Sequence, residues 1–135
     1  MRILTVAAVV FAAGFAGAAQ AQPLDCSNAM TQMDMNACVA LDFDAADKDL
    51  NAAYARARSA MRRIDGELAA SQVGAEAALR AAQRDWITFR DNACVAEGYQ
   101  MRGGSAESML VVGCKARLTE QRAKDLWTLA AGMEG

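Results

Sequence analysis

The sequence contains no histidine, and this absence excludes most of the familiar catalytic chemistry. Histidine is the usual general base, the activator of serine and cysteine nucleophiles, and the commonest protein ligand for transition metals. The four cysteines include no C-x-x-C pair, which excludes a thioredoxin-like redox motif and argues against a zinc site made of four thiolates. No glycine-rich phosphate loop follows a strand. We therefore expect no catalytic residues, no cofactor and no metal site, and we predict that the protein is not an enzyme.

Breakers of regular structure are also scarce, because proline occurs once and no glycine or proline lies between Thr31 and Gly66. No stretch alternates apolar and polar residues as a half-buried strand would. Thr31 and Asp34 resemble a capping box, which predicts a helix starting near Thr31. Further helices are predicted over about 75–97 and from Ser105, as the N-cap, to just before Gly132. The predicted fold is all-α, a small antiparallel three-helix bundle.

The first 21 residues have the pattern of a secretory signal peptide. A basic start is followed by an apolar run over 3–19 and by the A-x-A motif Ala19-Gln20-Ala21, which predicts cleavage after Ala21. A transmembrane anchor is the alternative, although the run is rich in alanine and glycine and ends in a cleavage motif. Asp25 before Cys26 breaks the small-residue pattern of a lipid-anchoring site. We expect one mature domain, residues 22–135, that is periplasmic or secreted and has no membrane anchor.

An even number of cysteines in an exported chain predicts disulfides. Four cysteines allow three connectivities. We favour the local pairs Cys26–Cys38 and Cys94–Cys114, because each would tie a helix to its own flanking segment. Two such bonds would also help a small domain with a modest core.

The segment LRAAQRDWITFRDNAC, residues 79–94, predicts a helix with an apolar stripe of Leu79, Ala82, Trp86, Phe89 and Ala93. An amide and a guanidinium lie along the margin of that stripe and need partners elsewhere. We predict an Asp47–Arg90 interaction within a structural polar network. Its members are Asp47, Asn51, Gln83, Trp86 and Arg90.

Charge further limits the class of partner. Without the first 21 residues the chain carries 16 acidic and 13 basic side chains, because Arg2 is the only charged residue removed. The basic cluster at 56–63 has no interleaved aromatic residues, which argues against nucleic-acid binding. The acidic segment Asp42–Asp49 argues against membrane binding and could meet a basic protein. Its carboxylates point in several directions on one helix, a poor arrangement for a glycosidase pair.

Several strings together resemble the LprI-type lysozyme-inhibitor domain of exported bacterial proteins. They are A-D-x-x-L-N-x-x-Y at 46–54, Q-x-x-W-x-x-x-R-x-x-x-C at 83–94, and the later glycine pair followed by a cysteine. The resemblance spans essentially residues 22–135 and implies a helical extracytoplasmic domain, with inhibition of c-type lysozyme in at least some members. A periplasmic interaction module with neither enzymatic activity nor lysozyme contact is the alternative. The sequence makes no prediction of the oligomeric state.

An inhibitor needs a preorganised element that can block a cleft. A disulfide-tied loop after the second helix is the first candidate, and the acidic segment Asp42–Asp49 is the second. The candidate partner-binding residues in this loop are Arg102, Gly103, Gly104, Ser105 and Glu107.

Overall fold

The computed structural model describes residues 24–132 and contains three helices. They are α1 (Gln32–Glu67), α2 (Ala75–Gly98) and α3 (Glu107–Ala131), with short 3-10 turns at Cys26–Asn28 and Tyr99–Met101. The described residues form no strand, and the two disulfides join Cys26 to Cys38 and Cys94 to Cys114. The predicted fold class and the favoured disulfide pairs are therefore confirmed. The predicted signal peptide, with its cleavage site after Ala21, lies outside the described residues.

Helix α1 is 36 residues long and begins where the capping motif predicted. The Thr31 hydroxyl accepts the backbone N–H of Asp34 at 3.0 Å, which satisfies one of the free N–H groups of the first turn. At about 1.5 Å per residue the helix is about 54 Å long. It forms the spine along which the two shorter helices lie.

The most extensive interface in the bundle joins α1 to α3. Gln32 contacts Met109 at one end, and the Trp127 indole donates to Asp49 much further along, so the two helices run parallel. Helix α2 runs antiparallel to both. Small and aliphatic residues dominate the core, and the small ones allow the helices to approach each other closely. The core residues are Leu50, Ala53, Ala57, Ala60, Met61, Leu79, Ala123 and Leu126.

The start of α2 is held by a carboxylate from the preceding helix. Asp65, in the last turn of α1, accepts the backbone N–H groups of Gly74 and Ala75 at 2.8 Å and of Glu76 at 3.0 Å. These bonds, led by the one from Glu76, hold the pKa of the Asp65 carboxyl below its usual value. The 68–74 connection is thereby fixed at both ends, and α2 needs no cap from its own N-cap residue, Gly74.

The predicted apolar stripe of α2 coincides only in part with the face that the helix buries, since Leu79 is buried and Trp86 packs against the core. Phe89 is 61% exposed, whereas Gln83 and Arg90 are buried with Leu79 and Cys94. The buried residues follow each other at intervals of four, seven and four, so the inward face is rotated by about one residue from the stripe. Bonding of Cys94 to Cys114 turns this face toward α3, where the two polar side chains find partners.

Within residues 24–132 no helix combines the length and the apolar character that crossing a membrane requires.

Candidate functional site

A disulfide braces the connection between α2 and α3. Cys94 is fully buried near the end of α2, and Cys114, two turns into α3, is 3% exposed. Gly98 packs so closely on α3 that a Cβ added there would lie 2.5 Å from the Val111 side chain. The connecting segment, residues 99–106, is called the braced loop below. Its two ends are held together by a covalent bond and by close helix packing.

The braced loop is also fixed from within. The Glu107 carboxylate accepts two hydrogen bonds, one from the Arg102 guanidinium at 2.6 Å and one from the backbone N–H of Gly103 at 2.8 Å. The bond from Gly103, and then that from Arg102, holds the pKa of Glu107 below its usual value. Gly103 has a φ of 77°, a left-handed conformation that favours glycine. The Gly104 N–H donates to the carbonyl of Met101 at 2.9 Å and closes the turn.

The predicted cap at Ser105 is wrong. Helix α3 begins at Glu107 after Ala106, which makes no side-chain cap. Glu107 instead reaches back to Gly103, so the first-turn acid holds the preceding loop and Ser105 stays exposed. Four of the five predicted loop residues still belong to one turn, because Arg102 and Gly103 both donate to Glu107 and Gly104 closes the same turn.

Apolar side chains stand out on the surface of this region. Tyr99 is 60% exposed, Met101 is 47% exposed, and Val95 is 49% exposed in the last turns of α2. The Arg102 guanidinium lies 4.8 Å from the centre of the Tyr99 ring, which restricts both side chains. An aromatic ring, a thioether and an arginine, held in place but open to solvent, have the chemistry of protein-binding hot spots.

The predicted Asp47–Arg90 interaction is not formed. Arg90 donates to the Asp91 carboxylate at 3.0 Å and to the Thr119 hydroxyl at 3.2 Å, while Asp47 accepts the side-chain amide of Asn51 at 3.0 Å. Asn51 is exposed. The physical reason is the rotation of α2, which brings the donors of Arg90 to Asp91 and to Thr119 of α3. Toward α1 the guanidinium meets the Phe43 ring and not Asp47.

A polar network does exist around Trp86, with a different membership. The guanidinium of Arg90 lies 5.2 Å from the Trp86 ring and 5.4 Å from the Phe43 ring. Gln83 accepts the guanidinium of Arg122, which also lies over Trp86. Gln83, Trp86 and Arg90 are therefore brought together, whereas Asp47 and Asn51 form a separate surface pair.

The acidic segment of α1 divides between two sides of the helix. Asp42 and Asp49 line a groove between α1 and α3, whereas Asp44 is exposed and does not line it.

The bond from Trp127 to Asp49 could not be read from the sequence, because their separation is 78 residues. The position of Gln83 beside an apolar stripe indicated that its amide needs a partner, but no sequence pattern near Gln83 identified Arg122 as that partner.

These features define a class of protein: a small all-α bundle with two disulfides and a braced loop that exposes apolar side chains. The family model described as Lysozyme inhibitor LprI matches residues 25–126, and the chain belongs to this family. An uncharacterized protein of Rhizobium meliloti (strain 1021) is 44% identical over 122 residues, covering 88% of this chain and 87% of that protein. The crystal structure of a DUF1311 family protein from Pseudomonas putida KT2440 is 26% identical with a TM-score of 0.65, covering 78% of this chain and 99% of its own.

Proposed function

We propose that this protein is an exported inhibitor that binds c-type lysozyme and blocks its cleft. Membership of the lysozyme-inhibitor family supports the partner. The excess of acidic over basic residues supports it further, since c-type lysozymes are basic and opposite charge accelerates association. The protein acts by occupying a site on its partner, without catalysing a reaction.

The braced loop is the observation that carries this proposal. A segment that enters an enzyme cleft loses conformational freedom on binding, and that loss is smaller when the segment is already fixed. The Cys94–Cys114 bond fixes the ends of the loop, and the bonds to Glu107 fix its turn. Tyr99 and Met101 remain exposed and can be buried against a partner.

Export is the second part of the proposal. Two disulfides are favoured in an oxidising compartment, which agrees with a periplasmic or secreted location. Cleavage after Ala21 would leave a mature chain that starts at Gln22 without a membrane anchor. Intact-mass measurement of the protein recovered from the periplasm or the medium tests this, and a mass that includes residues 1–21 would contradict it.

The inhibition itself is tested with residues 22–135, oxidised and purified, titrated into c-type lysozyme in a cell-wall turbidity assay. We expect inhibition that saturates at a fixed stoichiometry and weakens as salt is raised from low to physiological strength. Absence of inhibition at any ratio would overturn the proposal and favour an interaction module with another partner.

Loop variants make the test specific. Replacing Tyr99 or Met101 by serine removes an exposed anchor and should weaken inhibition by about tenfold, as loss of a hot-spot side chain does. Ile87→Ser is the matched control, because Ile87 is a 41% exposed apolar residue of α2 about three turns from the loop. Equal inhibition by the loop variants and the control would exclude the braced loop as the inhibitory element.

A further inference from the structure

A groove runs between the parallel helices α1 and α3, away from the braced loop. Its floor is formed by small residues, Ala45 and Ala46 from α1 and Gly113 and Ala116 from α3. Because these residues have at most one side-chain carbon, the two helices leave an open channel with apolar walls. Charged residues form its rims: Asp42, Asp49, Arg117 and Glu120.

The rim of the groove has an excess of negative charge, because it has three carboxylates and one guanidinium. Asp42 and Asp49 take part in none of the ion pairs formed by residues 24–132. The one cation of the rim, Arg117, donates to Glu97 on α2 at 2.9 Å. Glu120 pairs with Lys124, and because the side chains of both pairs are partly or largely exposed, water screens both pairs. The channel therefore combines apolar walls with a negative rim.

One of the carboxylates is also held in position. The Trp127 indole N–H donates to Asp49 at 2.9 Å. Trp127 lies about three helical turns after the floor residue Ala116 on α3. Trp127 is itself 39% exposed, so its ring borders the solvent beside that carboxylate. A positioned carboxylate next to an aromatic ring suits a cationic group, because both the charge and the ring attract it.

We infer that this groove receives a lysine or arginine side chain of the protein partner. The small residues of the floor accommodate the methylene stem, and the carboxylates of Asp42, Asp49 and Glu120 along the rim attract the cationic head. The inference rests on the proposed function for the identity of the partner, since c-type lysozymes are basic. It adds a second contact, separate from the braced loop, that selects partners by a protruding basic side chain.

The groove is tested without lysozyme by titrating a tetra-arginine peptide into the ¹⁵N-labelled mature protein and following the two indole N–H resonances by NMR. We expect the Trp127 resonance to shift saturably, because its acceptor Asp49 would also contact the peptide, while the Trp86 resonance stays nearly unchanged. The same peptide with citrulline in place of arginine keeps the shape but loses the charge, and it should produce no saturable shift. An unmoved Trp127 resonance, or equal shifts with the citrulline peptide, would overturn the inference.

Variants locate the binding within the groove. Asp42→Asn should weaken peptide binding by about three- to fivefold, the upper part of the range of one solvent-accessible ion pair. Asp44→Asn is the matched control, because it removes the same charge from the same helix outside the groove, and it should change binding by less than about 1.5-fold. Ala45→Leu, at an exposed position of the floor, should obstruct the channel and abolish the saturable shift. Equal weakening by Asp42→Asn and Asp44→Asn would show only a nonspecific effect of net charge and would contradict the groove.

The same variants in the lysozyme assay separate this inference from the proposed function. Saturable peptide binding without lysozyme inhibition by the unmodified protein supports the groove and refutes the proposed partner. Lysozyme inhibition that Asp42→Asn and Ala45→Leu leave unchanged retains the proposed function and refutes the groove as a contact. Circular dichroism at each step establishes that the variants keep the helical fold.

Discussion

Replacing Arg90 by alanine tests whether the residue acts as a structural centre of the bundle. Its side chain is 10% exposed, and its guanidinium lies 5.4 Å from the centre of the Phe43 ring and 5.2 Å from that of Trp86. It donates to the Thr119 hydroxyl, which is fully buried in α3. One side chain of α2 therefore contacts both other helices, and its truncation should destabilise the whole domain.

The loss of stability can be estimated from these contacts. Leaving the buried Thr119 hydroxyl without its donor costs about 1–3 kcal/mol. Each lost cation–π contact adds about 0.5–1 kcal/mol, and the bond to the partly exposed Asp91 contributes little. The total is about 3 kcal/mol. For a domain of this size, about 4 °C per kcal/mol then predicts a melting temperature lowered by about 12 °C.

Thermal denaturation followed by circular dichroism measures this effect. Thr119→Val removes the hydroxyl with little change in volume, so the double variant should lose less than the sum of the single losses. Arg90→Met keeps the apolar stem and should be less destabilised than Arg90→Ala. A melting temperature within about 3 °C of the unmodified protein for Arg90→Ala would refute the reasoning, because the loss of the buried bond to Thr119 and of two ring contacts cannot have so small a cost.

Two further predictions follow from the turn and from the braced loop. The folded-state pKa of Asp65 is lowered, so its stabilising effect is complete above the unfolded pKa of about 3.9 and disappears as the pH falls through the folded value. Asp65→Asn should therefore have a lower melting temperature than the unmodified protein at pH 7, and its melting temperature should fall less between pH 5 and pH 2. An equal fall in the two proteins would contradict the role of Asp65 as the cap of α2. Replacing Cys94 and Cys114 together by serine should reduce the free energy of unfolding by about 3 kcal/mol in the chain-entropy model, as measured by urea denaturation. The same replacement should also weaken lysozyme inhibition. The double variant Cys26→Ser/Cys38→Ser should weaken inhibition less, because that disulfide joins α1 to the segment before it, away from the braced loop.

The start of α1 and the disulfides could be predicted because their determinants are local. Thr31 and Asp34 are three residues apart, and both disulfides join cysteines separated by no more than 20 residues. The absence of glycine and proline between Thr31 and Gly66 likewise gave no reason for α1 to end before Gly66. Interactions within a helix or across one connection leave a pattern in the sequence.

The partner of Arg90 could not be predicted, because it depends on how α2 is rotated in the bundle. The spacing of apolar residues favoured the face of Phe89, but the disulfide and the polar partners on α3 determine which face is buried. Asp47 was a reasonable partner by its spacing on α1, yet α3 offers Thr119 instead. The prediction that Ser105 caps α3 was wrong for a related reason. The Glu107 carboxylate accepts the backbone N–H of Gly103 and so fixes the loop before α3 without a side-chain cap from Ser105. The binding role of the loop residues remains a prediction.

The parallel packing of α1 on α3 also has a consequence for how the chain folds. The contacts of this interface join residues that are 77 and 78 apart in sequence, such as Gln32 with Met109 and Asp49 with Trp127. Contacts this distant form late, because a long segment must first be ordered to bring their ends together. During synthesis the first helix is complete long before its main partner exists, so its alanine-rich face stays uncovered until the last helix arrives. Truncation within the final turns of α3 would remove the fully buried Leu126 and should prevent closure of the bundle rather than merely shorten it.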